Sequence, residues 1–350
     1  MSGDGNLVYV DNCLGNVASG SMSAQIASLS AETTYYYRAF VAEYNASTSS
    51  YEYRYGSIRS FTTEAAMAYT PGGWLEMPGY TVAGLTGTTT SSLSDLYPLT
   101  HKVQMDGKLQ RNYSCLYDPE MYASYWVAYP LCYDHLNGSG RSNQWAYDPD
   151  VPSAKQTDLL SGAYGVNVAT TNYESNYYSR GHQIANSDRN GVDGMCDQTF
   201  YMTNLTPQLQ NGFNGGVWNN LEQAVQSLTN SCDTVYVVTG AAFRKKGGSE
   251  TVTTIVNSRD SKTLPVPNYY WKALLKVSWT GSAGNRKISA ASAIGFWLPH
   301  ADLKGAKYAD YAVSVDELET YTGIDIFANL PDILETDAET NTSWTDFKNF

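Results

Sequence analysis

Three short stretches of this chain carry residue types that hydrolysis needs. The first is Tyr178-Ser179-Arg180-Gly181-His182-Gln183-Ile184-Ala185, the second ends in Asn204-Leu205-Thr206-Pro207-Gln208, and the third runs from Phe213-Asn214 through Trp218 to Leu221-Glu222. A neutral imidazole takes a proton near physiological pH, which makes His182 a candidate general base. Asn214 offers a neutral carbonyl oxygen, a weak single ligand of the kind Mg²⁺ accepts while keeping most of its waters. Glu222 follows eight residues later, about 80° around a regular helix, so the two can share a face. A carboxylate there orients water beside the ion. The planar guanidinium of Arg180 suits a phosphate or its developing charge. Gly181 is expected to let the backbone approach the phosphate or the ion closely. An Arg-Gly-His triplet alone is a weak signal, whereas three segments in this order, with 32 residues from His182 to Asn214, are a strong one.

These segments resemble the signature of the DNA/RNA non-specific endonucleases, the ββα-metal nucleases. The family pattern is D-R-G-H, then a strand ending S/T-N-I/L-x-P-Q, then N-x-x-x-W-x-x-L-E on a helix. In the wider sense the resemblance runs from about Asn112 to Leu298. It implies a Mg²⁺-dependent enzyme, with Mn²⁺ or another divalent ion as a substitute, that cuts DNA and RNA alike. By the same resemblance Asn214 and water hold the metal, which stabilises the leaving 3′ oxygen and gives 5′-phosphate ends. Arg141, in Gly140-Arg141-Ser142-Asn143-Gln144-Trp145, is similar to the family's arginine upstream of a tryptophan. Asn204 and Gln208 fall on the strand motif and are candidates either for the site or for satisfying backbone groups at a strand end. Ser179 departs from the pattern, standing where the family has Asp. A serine keeps hydrogen bonding but loses a charge, so weaker metal binding or slower turnover is expected.

The elements that must position these residues read as an α+β domain. Asn112–Asp118 and Tyr125–Leu131 form a predicted hairpin, Thr199–Asn204 another strand, and Thr234–Gly240, Tyr269–Val277 and Ala290–Leu298 further strands. Val217, Leu221, Val225 and Leu228 recur at helical spacing, with Asn214 at the expected N-cap. Strands and helices do not alternate regularly, which points to a largely antiparallel sheet flanked by helices, the ββα-metal nuclease fold under the resemblance. Residues 310–325 and the tail read as helical. Upstream, Leu29–Thr63 contains two alternating runs separated by a polar loop and resembles the last strands of a fibronectin type III domain. The expected organisation is therefore a partial β-sandwich module at 1–64, a linker at 65–100 that is interrupted by Trp74-Leu75-Glu76-Met77-Pro78 and docks on the next domain, and the catalytic domain at 101–350.

Composition places outer limits on this reading. Charged residues are 16% of the chain and Tyr contributes 29, a balance closer to exported proteins, so a secreted or cell-envelope location is expected. Nothing at the N-terminus reads as a signal segment, and no apolar run approaches membrane-spanning length. The five cysteines lack metal-ligand spacing, which argues against zinc; Cys115 and Cys132, in neighbouring strand-like runs, are candidates for a bridge. His101, His135 and His300 read as structural, and Asp148-Pro149-Asp150 as a turn. A net charge of −12 argues against a protein that holds nucleic acid by a broad basic surface. Two rivals follow: a nuclease fold that has lost efficient catalysis and binds a polysaccharide or other surface ligand, and a hydrolase with Ser179 as nucleophile. The second lacks a G-x-S-x-G elbow.

Overall fold

The computed structural model describes residues 34–62, 73–80, 93–105, 107–138, 140–281 and 286–350. The chain divides into two compact units, Met1–Met67 and Ala68–Phe350. In the first unit, β1 (Thr34–Tyr37) pairs antiparallel with β4 (Arg59–Thr62), and β2 (Phe40–Asn45) with β3 (Ser50–Tyr55). The stretch read as a polar loop is thus itself a hairpin. Its tip is closed by the Asn45 carboxamide, whose Oδ1 accepts from the Ser47 amide at 3.0 Å, an Asx-type turn that polarity alone does not reveal. The earlier part of the fibronectin-like reading, residues 1–33, lies outside the described residues.

The second unit is built on a seven-stranded antiparallel sheet. Its strands are β5 (Tyr97–Met105), β6 (Lys108–Asp118), β7 (Ala123–Leu131), β11 (Val235–Ala242), β14 (Tyr269–Thr280), β15 (Lys287–Pro299) and β16 (Ala312–Val313). Both faces are covered, so the central strands are buried throughout rather than alternating in and out. Along β7, Val127, Tyr129 and Leu131 join one core while Trp126 and Ala128 join the other. Along β14, Tyr270 and Leu274 belong to the first core and Trp271, Ala273 and Leu275 to the second. The first face carries a smaller sheet of β8 (Asn167–Val168), β9 (Asn176–His182) and β10 (Leu205–Leu209), and the helix α2 (Asn219–Leu228), which buries Leu221, Val225 and Leu228 as its spacing predicts. A short helix α1 (Met195–Gln198) precedes β10, and the pair β12 (Thr254–Val256) and β13 (Thr263–Pro265) forms a side hairpin. The second face carries α3 (Val315–Thr322) and α4 (Asp332–Ala338), while α5 (Trp344–Asn349) returns to the first core. This is the α+β architecture with a central antiparallel sheet that the sequence predicts.

Four local expectations are corrected. Thr199–Asn204 is a helical turn and not a strand, because the Asn204 side chain bonds backbone at Ile184 and Thr199; the strand starts at Leu205. Asn214 is not an N-cap: it lies within an irregular helical stretch, Gln210–Trp218, broken at Asn211, Gly212 and Gly216. Gly212 needs its φ of +79°, and a Cβ there would collide with Asp302. The stretch read as a linker contains the start of β5, so the sheet begins before 101, while its expected docking is seen in Leu75, Met77 and Tyr80, buried in the second core. Glu76 in the same strap pairs with Arg111 of β6, so apolar side chains and an ion pair hold the segment down. Cys115 and Cys132 are both free thiols: Cys115 sits opposite Val127 on β7, five residues before Cys132, so the register separates them.

Candidate active site

β9 and β10 run antiparallel with Leu205 opposite His182, Pro207 opposite Arg180 and Gln208 opposite Ser179. The chain then passes through the kinked stretch into α2, so two strands and a helix converge on one cavity of about 440 Å³. Arg141, Ser179, Arg180, His182, Asn214 and Glu222 all line it. Asn204 and Gln208 do not. Asn204 is fully buried and spends its carboxamide on backbone, accepting from the Ile184 amide at 3.0 Å and donating to the Ile184 and Thr199 carbonyls at 3.0 and 2.8 Å. Gln208 is buried against Gly181, where a Cβ would lie 2.4 Å from the Gln208 Cβ. The glycine therefore admits the close approach of Gln208 across the strand pair.

His182 occupies a defined tautomer. Its Nδ1 lies 3.2 Å from the Arg180 carbonyl oxygen, which can only accept, so Nδ1 carries the hydrogen and Nε2 the lone pair. Nε2 is buried without a partner among the described residues. Trp145 and Phe200 hold the ring edge-on, with centroids 5.4 and 5.1 Å away. Burial and the neighbouring Arg141 push the imidazole down to about 3, so it is neutral at working pH.

Asn214 is oriented with equal definition. Its Nδ2 donates to Ser179 Oγ at 2.7 Å, and Ser179 Oγ in turn donates to the Gln208 carbonyl at 2.9 Å. A second, longer contact reaches Gln210 Oε1 at 3.4 Å. With the NH₂ end committed, the Oδ1 end is left for the cavity. Ser179 is thereby accounted for as an orienting group, and its hydrogen points to a backbone carbonyl, which does not fit a nucleophile awaiting a base.

Arg141 and Arg180 line the cavity, and Arg259 stands near enough to act on Arg180. Arg180 stacks with its Cζ 3.3 Å from the Trp145 ring centroid and donates to the Leu159 carbonyl at 2.9 Å. The Arg141 Cζ lies 5.5 Å from the same ring, and its Nε donates to Asn143 Oδ1 at 2.7 Å. Arg259, which sequence reasoning missed, packs over Gly162 and acts electrostatically on Arg180. None of the three forms an ion pair with a carboxylate among the described residues. Burial, then Arg141 and Arg259, lower the Arg180 pKa, the mark of like charges held together.

Beneath Glu222 lies a second group that the motifs do not reveal. Lys272, 1% exposed, stands between Tyr270 and Leu274 on the face of β14 that looks toward α2. Its Nζ is 4.9 Å from the Trp218 ring centroid, one turn before Glu222. Burial pushes the Glu222 carboxyl up and the Lys272 ammonium down, while the opposite charge of each works against both shifts. Asp188 completes the group, taking hydrogen bonds from Tyr129 Oη and Gln226 Nε2, each at 2.7 Å. A lysine inside the run Tyr-Tyr-Trp-Lys-Ala-Leu-Leu was the available signal: a charge on a fully buried strand needs a partner.

For metal ligation the cavity offers the Asn214 oxygen and the Glu222 carboxylate, all-oxygen donors suited to a hard divalent ion. A second set, His101, Asp148 and Asp150, has ligand atoms within 4.8 Å of one another. It is spent on structure: His101 Nε2 lies 3.1 Å from Asp148 Oδ2, and Asp148 also accepts from Thr203 Oγ1 at 2.6 Å and the Asp150 amide at 3.0 Å. The structural reading of His101 and the turn at Asp148 agree with this. His300 is likewise consumed, accepting from the Leu209 amide through Nε2 and bonding the Pro267 carbonyl through Nδ1, both at 2.8 Å.

Comparison with known proteins bears on the same segments. The chain is 30% identical over 211 residues, 59% of its length and 69% of the relative's, to a protein named nuclease from Serratia marcescens. It is 26% identical over 224 residues, 62% of this chain and 64% of the relative, to a mitochondrial nuclease of Saccharomyces cerevisiae. Human mitochondrial endonuclease G is 28% identical over 170 residues, 48% of this chain and 54% of that protein. A chain from a crystal structure of the EndoG/EndoGI complex superposes with a TM-score of 0.50 at 21% identity, covering 68% of this chain and 90% of that one, which establishes a shared fold. The family model for DNA/RNA non-specific endonucleases matches residues 94–333, a span holding the β9–β10–α2 cavity and Lys272 alike, and the chain belongs to that family.

Proposed function

We propose that the protein is a divalent-metal-dependent endonuclease that hydrolyses phosphodiesters of DNA and RNA with His182 as general base. The observation that carries this reading is the unpartnered Nε2 of His182, its tautomer fixed by the Arg180 carbonyl, in the cavity that also receives the Asn214 carboxamide oxygen. The donor set fits Mg²⁺, or Mn²⁺ in its place: one neutral oxygen from Asn214, a carboxylate from Glu222 as a water-orienting neighbour, and open volume for water and substrate. A divalent ion held there supplies charge neutralisation at the phosphate and at the leaving 3′ oxygen, leaving a 5′-phosphate.

The chain's own residues do the rest. Arg180, Arg141 and Arg259 receive the phosphodiester as a planar, multi-donor rim. The attacking water gives its proton to His182 Nε2. In the free protein burial first, and then the arginine charges, leave the imidazole weakly basic; a bound phosphodiester offsets the arginine part and moves its pKa upward. Lys272 opposes the burial that pushes the Glu222 carboxyl up and so favours its ionised form, and Ser179 keeps the Asn214 oxygen turned to the cavity. The low charged fraction, 16%, supports action outside the cytoplasm.

Plasmid nicking by the purified chain tests the reading. Cutting is expected with Mg²⁺ or Mn²⁺ on both DNA and RNA, to be abolished by EDTA, and to fall roughly 10²–10⁴-fold in His182→Ala. Absence of metal-dependent cutting by the unmodified chain would return the fold to a binding role.

A further inference from the structure

The second face of the sheet holds a cluster unrelated to the cavity. Asp316 and Glu319 come from α3, Asp325 from the turn after it, and Glu335 and Glu339 from α4 and its end. Ligand oxygens of Asp316, Glu319 and Glu339 lie within 4.8 Å of one another. Surface carboxylates often gather without consequence, but Glu339 is 3% exposed and its Oε1 has no hydrogen-bond partner among the described residues. Asp325 Oδ1 is likewise buried and unpartnered. One contact is satisfied, where Glu319 Oε1 accepts from the Ile326 amide at 2.6 Å. No lysine, arginine or histidine among the described residues forms an ion pair with any of the five. A buried carboxylate oxygen with neither donor nor cation is strongly unfavourable, and here it points into a group of the same charge.

We propose that Asp316, Glu319 and Glu339 form a structural Ca²⁺ site that ties α3 to the end of α4. The donors are all carboxylate oxygens, with no sulfur or imidazole, which selects a hard cation. Ca²⁺ accepts six to eight oxygens at about 2.3–2.6 Å in flexible geometry, so one ion can bridge ligands up to 4.8 Å apart. Mg²⁺ demands a tighter octahedron and keeps its waters. The exposed Asp316 opens the site to solvent, giving the ion entry and its remaining water ligands. The neighbourhood is a junction: the Val315 amide donates to the Glu339 carbonyl at 2.9 Å, and Asp325 exchanges backbone hydrogen bonds of 2.8 and 2.9 Å with Gly79 of the strap. An ion there fastens the C-terminal helices and the strap over the second core. It takes no part in catalysis, and none of its ligands lines the cavity.

The test is thermal unfolding of the full chain carrying Asn214→Ala, which removes the proposed metal ligand of the cavity. Millimolar CaCl₂ is expected to raise Tm by about 5 °C over EDTA. The rise is expected to vanish when Glu339→Gln or Asp316→Asn is added. Glu339→Gln keeps the size of a buried side chain whose oxygen has no hydrogen-bond partner among the described residues, so its Tm in EDTA should match that of its parent, separating loss of calcium response from loss of fold. A Tm indifferent to calcium in the Asn214→Ala chain, or a calcium response that survives Glu339→Gln, overturns the site.

Discussion

On one face of the central sheet, Arg141 and Arg180 flank Trp145 with Arg259 acting on Arg180, and on the other five carboxylates gather where α3 and α4 meet; among the described residues the first group has no paired carboxylate and the second no paired cation. Each group is like charge held together at an electrostatic cost, and each is relieved by a ligand of opposite sign. The net charge of −12 conceals this segregation, since residues 301–350 alone carry eleven acidic and three basic side chains. An acidic chain can therefore present a cationic cleft to nucleic acid, and the objection raised by composition loses its force. What matters for a catalyst that meets its substrate briefly is the local field.

The comparison is most sharply broken at Lys272, the cation buried behind the cleft. Lys272→Met removes the charge that opposes burial at Glu222, so the carboxyl is pushed still further up, holds its proton and does not orient water. Turnover is expected to fall roughly 10–100-fold, and a Lys272→Met/Glu222→Gln double variant should regain stability without regaining rate, as denaturant unfolding beside the nicking assay would register. Ser179→Ala frees the Asn214 carboxamide to turn. A loss of roughly 10-fold in kcat at limiting metal is expected, with partial recovery at high Mg²⁺; unchanged metal dependence would deny Ser179 its orienting role. Arg259→Ala removes one cation from the rim without touching the base. Binding of an oligonucleotide by His182→Ala protein should weaken a few-fold and the slope of log Kd against log salt should drop by about one. The smallest effect concerns pH. Burial lowers His300 to about 4, from an unfolded value of about 6.5, so the unfolded chain binds the extra proton between those limits. Stability is thus lost as pH falls through that window, by at most about 1.4 kcal/mol per unit, and His300→Gln should flatten the decline. Glu319 and Glu339, pushed by burial and neighbouring carboxylates up to about 8 and about 10, act with the opposite sign: their contribution is present below the ordinary glutamate range and lost as pH rises through the raised values.

How much of this was legible in the sequence follows from chain distance. His182, Asn214 and Glu222 fall within about forty consecutive residues because β9, β10 and α2 are successive elements, so spacing alone conveys their convergence. The face of α2 was equally plain from Val217, Leu221, Val225 and Leu228. Lys272 and Arg259 come from distant segments, and only the sheet register and a loop packed over Gly162 bring them near. The kink at Gly212 and Gly216 is imposed by tertiary partners: Asn176 clamps Asn211 with two hydrogen bonds of 2.9 Å, one from each end of its carboxamide. The Thr199–Asn204 stretch has strand-like composition, yet the Asn204 carboxamide bonds override it. The strap at 73–80 reads as linker from its Pro and Gly flanks, while its anchor, Arg111, lies on β6. The carboxylate cluster draws on two helices and a turn whose packing no motif marks.

The central claim is that Asn214 presents an oxygen to a metal beside a neutral His182. Its most direct test is anomalous diffraction from crystals of His182→Ala protein soaked with Mn²⁺ and a short oligonucleotide. The account predicts a peak about 2.0–2.3 Å from Asn214 Oδ1, with water and phosphate oxygens completing the shell and Glu222 hydrogen-bonded to one of those waters. A cavity without a peak at full occupancy of the oligonucleotide, or an ion ligated by cysteine or histidine instead, would contradict it.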